Sequence, residues 1–361
     1  MPAIQPGDKV LVSGANGFIA VWVLQTLLEK GYSVRGTVRS AAKAAHLDSL
    51  FKAKYAGKWE WVVVADITQE DAFDEAVKSV DGILHMASPF NYEITSPEAA
   101  IQPAVQGTVG ILKSATKFGP QIKRIVITSS IAAILEIGDM SVPRTFTEED
   151  WNNQAPALVE AHGAGAGPLV IYCASKMLAE KAAWDYLKDN KGRIAWDLTT
   201  VNPSFVLGPI LHEVKSAEAL NQSALDWYRA VLTPDSSDEK LAREPSNSYV
   251  DVRDVATAHV LALETEAAGG ERFLISRSFY VYQDWLDVIQ NILPSIQGTL
   301  PANISASRLA ALPKGVRGAG KAAVRSIEFD VRKADKVLGI KYRSVEETAE
   351  DSLKDYLGRG W

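Results

Sequence analysis

A tyrosine and a lysine four residues apart, in the segment YCASK (172–176), could together carry out proton transfer. The phenol of a tyrosine has an ordinary pKa of about 10, which is high for a proton donor at neutral pH. A nearby ammonium group favours the phenolate and lowers that pKa. On a helix, this spacing brings Tyr172 and Lys176 to one face, so the pair could protonate a carbonyl oxygen during its reduction. The spacing is common by chance, and its meaning depends on the elements that position it.

Composition narrows the class of protein to which this chain can belong. Of its 361 residues, 47% are apolar and 23% are charged, which is ordinary for a globular protein. The net charge of -6 argues against nucleic-acid binding, which usually requires a basic surface. Cys173 is the only cysteine, so no intrachain disulfide can form, and no run of about 18 apolar residues indicates a membrane span. We expect a cytoplasmic protein.

Short apolar runs alternate with helix-like segments through the first 203 residues. Strands rich in β-branched residues that alternate with helices are typical of a parallel sheet covered on both faces. We therefore expect an α/β fold with a Rossmann-type doubly wound parallel sheet. The predicted strands are 9–14, 33–39, 59–66, 82–88, 124–130 and 197–203, and the predicted helices are 17–30, 70–79, 98–118 and 170–188.

The pattern becomes less regular after Pro203. A polar loop (233–248) is followed by a clear helix (250–264), a loop-rich region (295–330) and an amphipathic helix (344–359). This change predicts a smaller, mixed substrate-binding lobe beside the nucleotide-binding part. The NADP-binding Rossmann domain is predicted to comprise 1–203 and 250–268, and the lobe 204–249 and 269–361.

The first strand runs directly into a glycine-rich turn, SGANGFIA (13–20). Gly14 and Gly17 would let the backbone approach a pyrophosphate, while the following helix N-terminus offers unpaired N–H groups and a positive dipole end. Ala20 is small enough for the helix to pack closely on the sheet. The place of this turn in the first strand-turn-helix unit predicts a dinucleotide site rather than an ordinary tight turn.

The end of the second strand indicates which dinucleotide binds. An NAD site usually carries an acidic residue there, but this sequence has none between Glu29 and Asp48. Arg39 and Lys43 occupy this region and could bind the 2′-phosphate of NADP. Asp66, at the end of the third strand, could accept a hydrogen bond from the adenine amine or cap the next segment. We predict NADP(H) as the cofactor.

Ser129 and Ser130 end the fifth predicted strand. In open α/β sheets, ligands bind at the carboxyl ends of the strands. A serine hydroxyl at that edge could donate the second hydrogen bond to a carbonyl oxygen, beside the proton donor of the YCASK segment.

With these motifs in order, the chain resembles the extended short-chain dehydrogenase/reductase family over residues 8 to about 265. It looks most similar to fungal NADPH-dependent aldehyde and ketone reductases, which are dihydroflavonol reductase-like. The segment VRGTVRSAAK is typical of that subgroup. Ala20 replaces the third glycine of the family loop, and Gln106 stands where asparagine is frequent. The matching segments are SGANGFIA (13–20), Asp66, HMAS (85–88), TSS (128–130), YCASK (172–176), VNP (201–203) and YVDVRDVATAHV (249–260).

The resemblance implies a Ser-Tyr-Lys triad of Ser130, Tyr172 and Lys176. Ser130 is favoured over Ser129 because family members place the active serine last in this run. Tyr172 would be the acid, and Lys176 would lower its pKa and bind the nicotinamide ribose. The predicted cofactor-binding residues are Gly14, Asn16, Gly17, Phe18, Ile19, Arg39, Lys43, Asp66, Ile67, Met86, Ala87, Ser88, Thr128, Pro203 and Ser204, and the predicted substrate-pocket residues are Phe90, Ile131, Phe205 and Trp227.

Together these features predict an NADPH-dependent carbonyl reductase acting on ketones or aldehydes. A sugar-nucleotide epimerase or dehydratase shares the fold, but the dehydratases place an Asp-Glu pair after the active hydroxyl, where Ile131 and Ala132 stand here. A non-catalytic NADP-sensing regulator is the other alternative, although such relatives typically lose the Tyr-Lys pair. The expected partner is a small carbonyl compound, with no metal, nucleic acid or membrane, and the chain is expected to be a monomer or homodimer.

Overall fold

We examined a computed structural model of the chain. It describes residues 4–88, 96–136, 143–233, 247–300, 302, 304–323 and 327–361.

A large parallel sheet forms the centre of the molecule. Its strands within the described residues follow the order β10-β7-β5-β4-β1-β2-β3, and every neighbouring pair is parallel. Strand β1 lies inside the sheet. Strands β2 and β3 follow on one side of it, and β4, β5, β7 and β10 follow on the other, as in doubly wound folds. The strands are β1 (Lys9–Ser13), β2 (Ser33–Val38), β3 (Trp59–Val63), β4 (Gly82–His85), β5 (Arg124–Thr128), β7 (Asp197–Pro203) and β10 (Arg272–Ile275).

Alternating side chains of the central strands face two separate cores. Val10 and Val12 of β1 pack in one core, whereas Leu11 packs in the other. Because successive strand residues point to opposite faces, an apolar run fills both layers at once. This explains why these strands are almost continuously apolar.

Helices cover both faces of the sheet. Residues of α1 (Phe18–Glu29) and α7 (Val252–Glu264) contribute to the core that contains Val10. Residues of α3 (Pro97–Phe118) and α5 (Pro168–Asp189) contribute to the core that contains Leu11. In chain order the helices are α1 (Phe18–Glu29), α2 (Ala45–Phe51), α3 (Pro97–Phe118), α4 (Gln154–His162), α5 (Pro168–Asp189), α6 (Gln222–Leu232), α7 (Val252–Glu264), α8 (Tyr282–Ile296), α9 (Ala306–Ala310), α10 (Arg332–Leu338) and α11 (Val345–Gly358).

Two smaller sheets lie outside the central one. The strands β8 (Phe205–Leu207) and β9 (Asn247–Asp251) pair in parallel, and β11 (Ser278–Tyr280) pairs antiparallel to β9. The short strands β6 (Arg144–Phe146) and β12 (Ile327–Phe329) form a parallel pair. The fold class is therefore confirmed as a Rossmann-type parallel sheet with a smaller mixed sheet.

Three local expectations differ from the structure. The predicted helix 70–79 is a series of turns, because Asp71 and Ser79 adopt left-handed backbone angles (φ 62° and 58°) that do not continue an α-helix. The region 295–330, expected to be loops, contains the short helix α9 and strand β12. The predicted helix 250–264 begins only at Val252, since the preceding residues complete strand β9.

The division of the chain into two domains stays a prediction. Strand β10 lies in the range 269–361 that was assigned to the substrate lobe, yet it pairs with β7 in the central sheet. That strand is therefore part of the nucleotide-binding sheet.

None of the helices within the described ranges is long and apolar enough to cross a membrane. Across the same ranges, no three His, Cys, Asp or Glu side chains are grouped so that they could hold a metal ion.

Candidate active site

Helix α5 carries the tyrosine and the lysine. It begins with Pro168, whose fixed φ and missing N–H suit the first position of a helix. Tyr172 and Lys176 follow on one face, and the Lys176 Nζ atom lies 5.9 Å from the centre of the Tyr172 ring. Burial lowers the pKa of Lys176 to about 8. The same Nζ donates a hydrogen bond to Ser88 Oγ at 3.2 Å, which ties α5 to the segment after β4.

The two serines after β5 have different surroundings. Ser129 is buried, and its Oγ donates to Glu180 Oε2 at 2.5 Å. Ser130 is partly exposed, and its Oγ accepts a hydrogen bond from the Ala132 N–H at 3.1 Å. Since that bond uses a lone pair of the oxygen, the Ser130 hydroxyl proton can still be donated. These surroundings favour Ser130 as the residue available to a ligand.

The loop that follows Ser130 packs against α5. Ala132 shares a small buried cluster with Cys173 and Ala174, and Tyr172 packs against the edge of this cluster. The loop after Ser130 therefore lies beside the start of α5, the helix that carries Tyr172 and Lys176.

The glycine-rich turn has the geometry required for close approach of a phosphate. Gly14 has a φ of 64°, in the left-handed region, and a Cβ there would lie 2.9 Å from the Ala87 Cα. The Gly14 N–H donates to Thr37 Oγ1 at 3.1 Å. Helix α1 starts after Gly17 with no side-chain cap, so N–H groups of its first turn are available to an anion. The residues of this turn fit a dinucleotide pyrophosphate.

A buried hydroxyl holds the segment after β4 beside this turn. Ser13 Oγ accepts from the N–H groups of Met86 and Ala87 at 2.9 and 3.0 Å. It lies 2.9 Å from His85 Nδ1, to which its only proton is therefore donated. Burial lowers the pKa of His85 to about 3, so the imidazole is neutral. Ser13 and His85 thus join the β1 and β4 ends that were both predicted to contact cofactor.

The end of β2 presents exposed basic groups. Arg39 directly follows the strand, and Lys43 lies in a 3₁₀ turn at Ala41–Ala44. Asp66 is also exposed and accepts from the Thr68 N–H at 2.9 Å and Thr68 Oγ1 at 2.7 Å. These hydrogen bonds, together with the nearby Arg39, lower the pKa of the Asp66 carboxyl. Asp66 therefore caps the turn that follows it, one of the two roles that its position predicted.

Several other predicted cofactor residues have side chains that are buried or already hydrogen-bonded within the protein. The Thr128 hydroxyl donates to His259 Nε2 at 2.7 Å, since His259 Nδ1 donates to the Val255 carbonyl. Phe18 is buried and lies 5.4 Å from the His212 ring, which leaves its backbone N–H as the group that could bind phosphate. Pro203 and Ser204 are buried at the end of β7, whereas Asn16, Ile19, Ile67 and Ser88 are partly exposed.

The predicted substrate-pocket residues within the described ranges have different surroundings. Trp227 is only 1% exposed and packs edge-on against Trp285 and Tyr356, at ring distances of 5.9 and 5.6 Å. This is the packing of a core residue, so Trp227 is not proposed as a wall of the substrate pocket. Phe205 is partly exposed, and Ile131 is buried. Phe90 lies outside the described residues.

Cys173 is buried beside Tyr172, as expected for a packing residue. Burial raises the pKa of its thiol to about 12.

The sequence reasoning missed a buried polar cluster behind the triad. Glu180 lies one helical turn after Lys176 and accepts hydrogen bonds from Ser129 and Asn202. Its four-residue spacing from Lys176 was a readable signal, because it continues the same helix face. Arg272, which completes the cluster, is 92 residues from Glu180 in the sequence, and no local pattern predicts that the two would meet.

Comparisons with known proteins identify the family of the chain. The sequence profile of the NAD dependent epimerase/dehydratase family matches residues 10–276. The chain is 36% identical to NADPH-dependent methylglyoxal reductase GRE2 of Saccharomyces cerevisiae, over 97% of this chain and 98% of that protein. It is 35% identical to cinnamoyl-CoA reductase CAD2 of Medicago truncatula, over 81% and 82% of the two chains.

Among solved structures, the fold is similar to that of yeast methylglyoxal/isovaleraldehyde reductase Gre2 complexed with NADPH. The TM-score is 0.82 at 34% identity, with 98% of this chain and 99% of that chain covered. The likeness extends over both the sheet and the C-terminal part. The chain therefore belongs to the NAD dependent epimerase/dehydratase family, within the extended short-chain dehydrogenase/reductases that its motifs resemble.

Proposed function

We propose that the protein is an NADPH-dependent carbonyl reductase that converts ketones or aldehydes to alcohols with a Ser130-Tyr172-Lys176 triad. The observation that carries this proposal is the arrangement of Tyr172 and Lys176 on one face of α5, packed beside the Ser130 loop at the carboxyl end of β5. Ligands of doubly wound sheets bind at that edge.

The residues present fit the proposed cofactor. The Gly14 turn and the uncapped start of α1 would hold the pyrophosphate, and Arg39 and Lys43 would bind the 2′-phosphate. When bound, NADPH supplies the hydride that is transferred to the carbonyl carbon. The prediction of NADP(H) and of an oxidoreductase is confirmed by the relatives, several of which are NADPH-dependent reductases.

Each triad residue has one role in this proposal. Tyr172 donates its hydroxyl proton to the carbonyl oxygen as negative charge develops there. The ammonium of Lys176 stabilises the resulting phenolate, which lowers the pKa of the tyrosine in the direction that this transfer needs. Ser130 donates a second hydrogen bond to the same oxygen and so stabilises the alkoxide.

The printed names of the relatives suggest which carbonyl compounds to test. Methylglyoxal, isovaleraldehyde and cinnamoyl-CoA are substrates named for them, and they are all aldehydes or activated carbonyl compounds. We propose aldehydes and activated ketones as the substrate class of this chain, and keep a monomer or homodimer as its predicted state.

The family description also covers epimerases and dehydratases. Against those activities, the positions after Ser130 carry the buried apolar side chains of Ile131 and Ala132 rather than an acidic pair. Against a purely regulatory role, the Tyr172-Lys176 pair is retained, and burial lowers the pKa of its lysine as expected for a catalytic group.

A spectrophotometric assay tests the proposed function. Purified protein is mixed with NADPH and a panel of aldehydes and ketones, and loss of absorbance at the reduced nicotinamide band is followed. We expect oxidation of NADPH with at least one aldehyde and much slower oxidation of NADH. Absence of turnover across the panel contradicts the reductase proposal, and NAD that stays bound through purification supports an epimerase.

A further inference from the structure

We propose that Glu180 is a positioning residue that holds the Ser130 hydroxyl in place relative to Tyr172. This inference rests on the proposed function, because it concerns the orientation of the triad. Glu180 would act through the residues that its carboxylate binds, Ser129 and Asn202 among them.

The Glu180 carboxylate is a buried junction between one helix and three strands. Its Oε2 accepts from Ser129 Oγ at 2.5 Å and from Asn202 Nδ2 at 2.7 Å. Its Oε1 accepts from Arg272 Nε at 2.6 Å and from Thr200 Oγ1 at 3.1 Å. These donors come from the residue after β5, from within β7 and from the first residue of β10, so one side chain joins α5 to three neighbouring strands.

Asn202 extends the junction to the triad itself. While one amide proton is donated to Glu180, the same Nδ2 also donates to the Ser130 carbonyl oxygen at 3.2 Å. Ser129, the residue before Ser130, is held by the same carboxylate. The backbone on both sides of the Ser130 Cα is therefore fixed with respect to Glu180.

Helix geometry completes the connection. Lys176 precedes Glu180 by one turn and Tyr172 precedes it by two, at about 6 and 12 Å along the axis of α5. The 22-residue helix α5 thus carries the proposed proton donor near its start and the strand anchor near its middle. Any movement of Glu180 against β5 changes the distance from Tyr172 to Ser130.

Stability alone does not account for this buried charge. Glu180 is 2% exposed and Arg272 is 8% exposed, and Arg272 also donates to the carbonyl oxygens of Glu148 and Asp150. Burying an ion pair usually stabilises a fold no more than well-packed apolar residues of similar volume. The cluster therefore makes most sense as a device that fixes geometry.

The main test replaces Glu180 by glutamine in the full-length protein. Glu180→Gln keeps the shape, but its NH2 group faces two donors, either Ser129 and Asn202 or Thr200 and Arg272. We expect kcat to fall about 10- to 100-fold, as small misplacements of catalytic groups do, while KM for NADPH changes less than about threefold. The matched control is Asp185→Asn, an exposed acid on the same helix, which should leave kcat unchanged.

A double-mutant cycle with Ser130→Ala separates positioning from general damage. If Glu180 acts through Ser130, Glu180→Gln should cost less than about threefold once the Ser130 hydroxyl has been removed. The same loss in both backgrounds would overturn the inference. So would wild-type kcat in Glu180→Gln.

The cycle also tells this inference apart from the proposed function. Wild-type rates in Ser130→Ala would overturn the triad and the inference together, whereas a slow Ser130→Ala variant with equal Glu180→Gln factors overturns only the inference. If Glu180→Gln does not fold, Ser129→Ala replaces it, because it removes a single donor to Glu180. That variant should lower kcat about 3- to 10-fold, and only when Ser130 is present; unchanged kcat would contradict the role of Glu180.

Discussion

The two sides of the candidate site are built in opposite ways. Behind the triad, the Glu180 carboxylate is buried and accepts hydrogen bonds from several strand ends. At the end of β2, Arg39 and Lys43 are exposed and extend from a strand end and a 3₁₀ turn. Charges in solvent are screened and tolerate movement, whereas buried polar groups impose one geometry. If the proposed roles hold, the chemistry depends on fixed positions, and the choice of cofactor depends on accessible charge.

The largest expected effect is on the triad side. Tyr172→Phe removes the proton donor but keeps the ring, so kcat should fall about 1,000-fold. NADPH affinity, measured by titrating the fluorescence of the nucleotide, should stay within about twofold, because the phosphate-binding groups are untouched. A variant that kept the wild-type rate would show that Tyr172 is not the acid.

The next largest effect is expected at the exposed basic side. Arg39→Ala removes a charge-assisted contact to the 2′-phosphate and should raise KM for NADPH about 30-fold, with kcat nearly unchanged. The KM for NADH should change far less. Arg332→Ala, at the start of α10, is a control for loss of an exposed arginine. Equal effects on the two cofactors would exclude contact between Arg39 and the 2′-phosphate.

A pH profile examines Lys176 without any substitution. Burial lowers its pKa to about 8, so the ammonium is present below that pH and is lost above it. The rate of carbonyl reduction should be flat near pH 7 and fall towards tenfold per unit above pH 8, because the phenolate loses its cationic partner. Initial rates at saturating NADPH measure this. A rate that rises through pH 9 would contradict the role of the lysine.

The smallest effect is expected at Asp66. Its carboxylate is exposed, and Asp66→Asn keeps an oxygen that can accept from the Thr68 N–H. We expect KM for NADPH to rise no more than about threefold. A rise in KM as large as that expected for Arg39→Ala would mean that the geometry of this exposed side is as strictly required as that of the triad side.

The sequence allowed prediction of those features that depend on local pattern. Alternating strands and helices predicted the parallel sheet, and the position of Gly14 after β1 predicted the phosphate turn. The Tyr172-Lys176 spacing predicted a shared helix face, which α5 provides. Family resemblance chose Ser130 over Ser129, and the bond from Ser129 to Glu180 supplies a physical reason for that choice.

Features that depend on distant contacts could not be predicted. Trp227 was expected in a pocket, but Trp285 and Tyr356 enclose it in the core, and neither is near it in sequence. The turns at 67–79 bury Phe73 and Val77 as a helix would, so the apolar pattern alone could not distinguish the two. The Glu180 cluster combines four separate segments, and only the spacing of Glu180 from Lys176 gave a local signal.

The burial of Cys173 has a consequence if the protein reduces reactive carbonyl compounds, as proposed above. Aldehydes and activated ketones are electrophiles, and the thiolate is the nucleophilic form of cysteine that attacks them. Burial raises the pKa of the Cys173 thiol to about 12, so the group stays protonated at neutral pH. The sole sulfhydryl of the chain therefore lies one residue from the proposed proton donor, but it is buried and held in the less reactive thiol form.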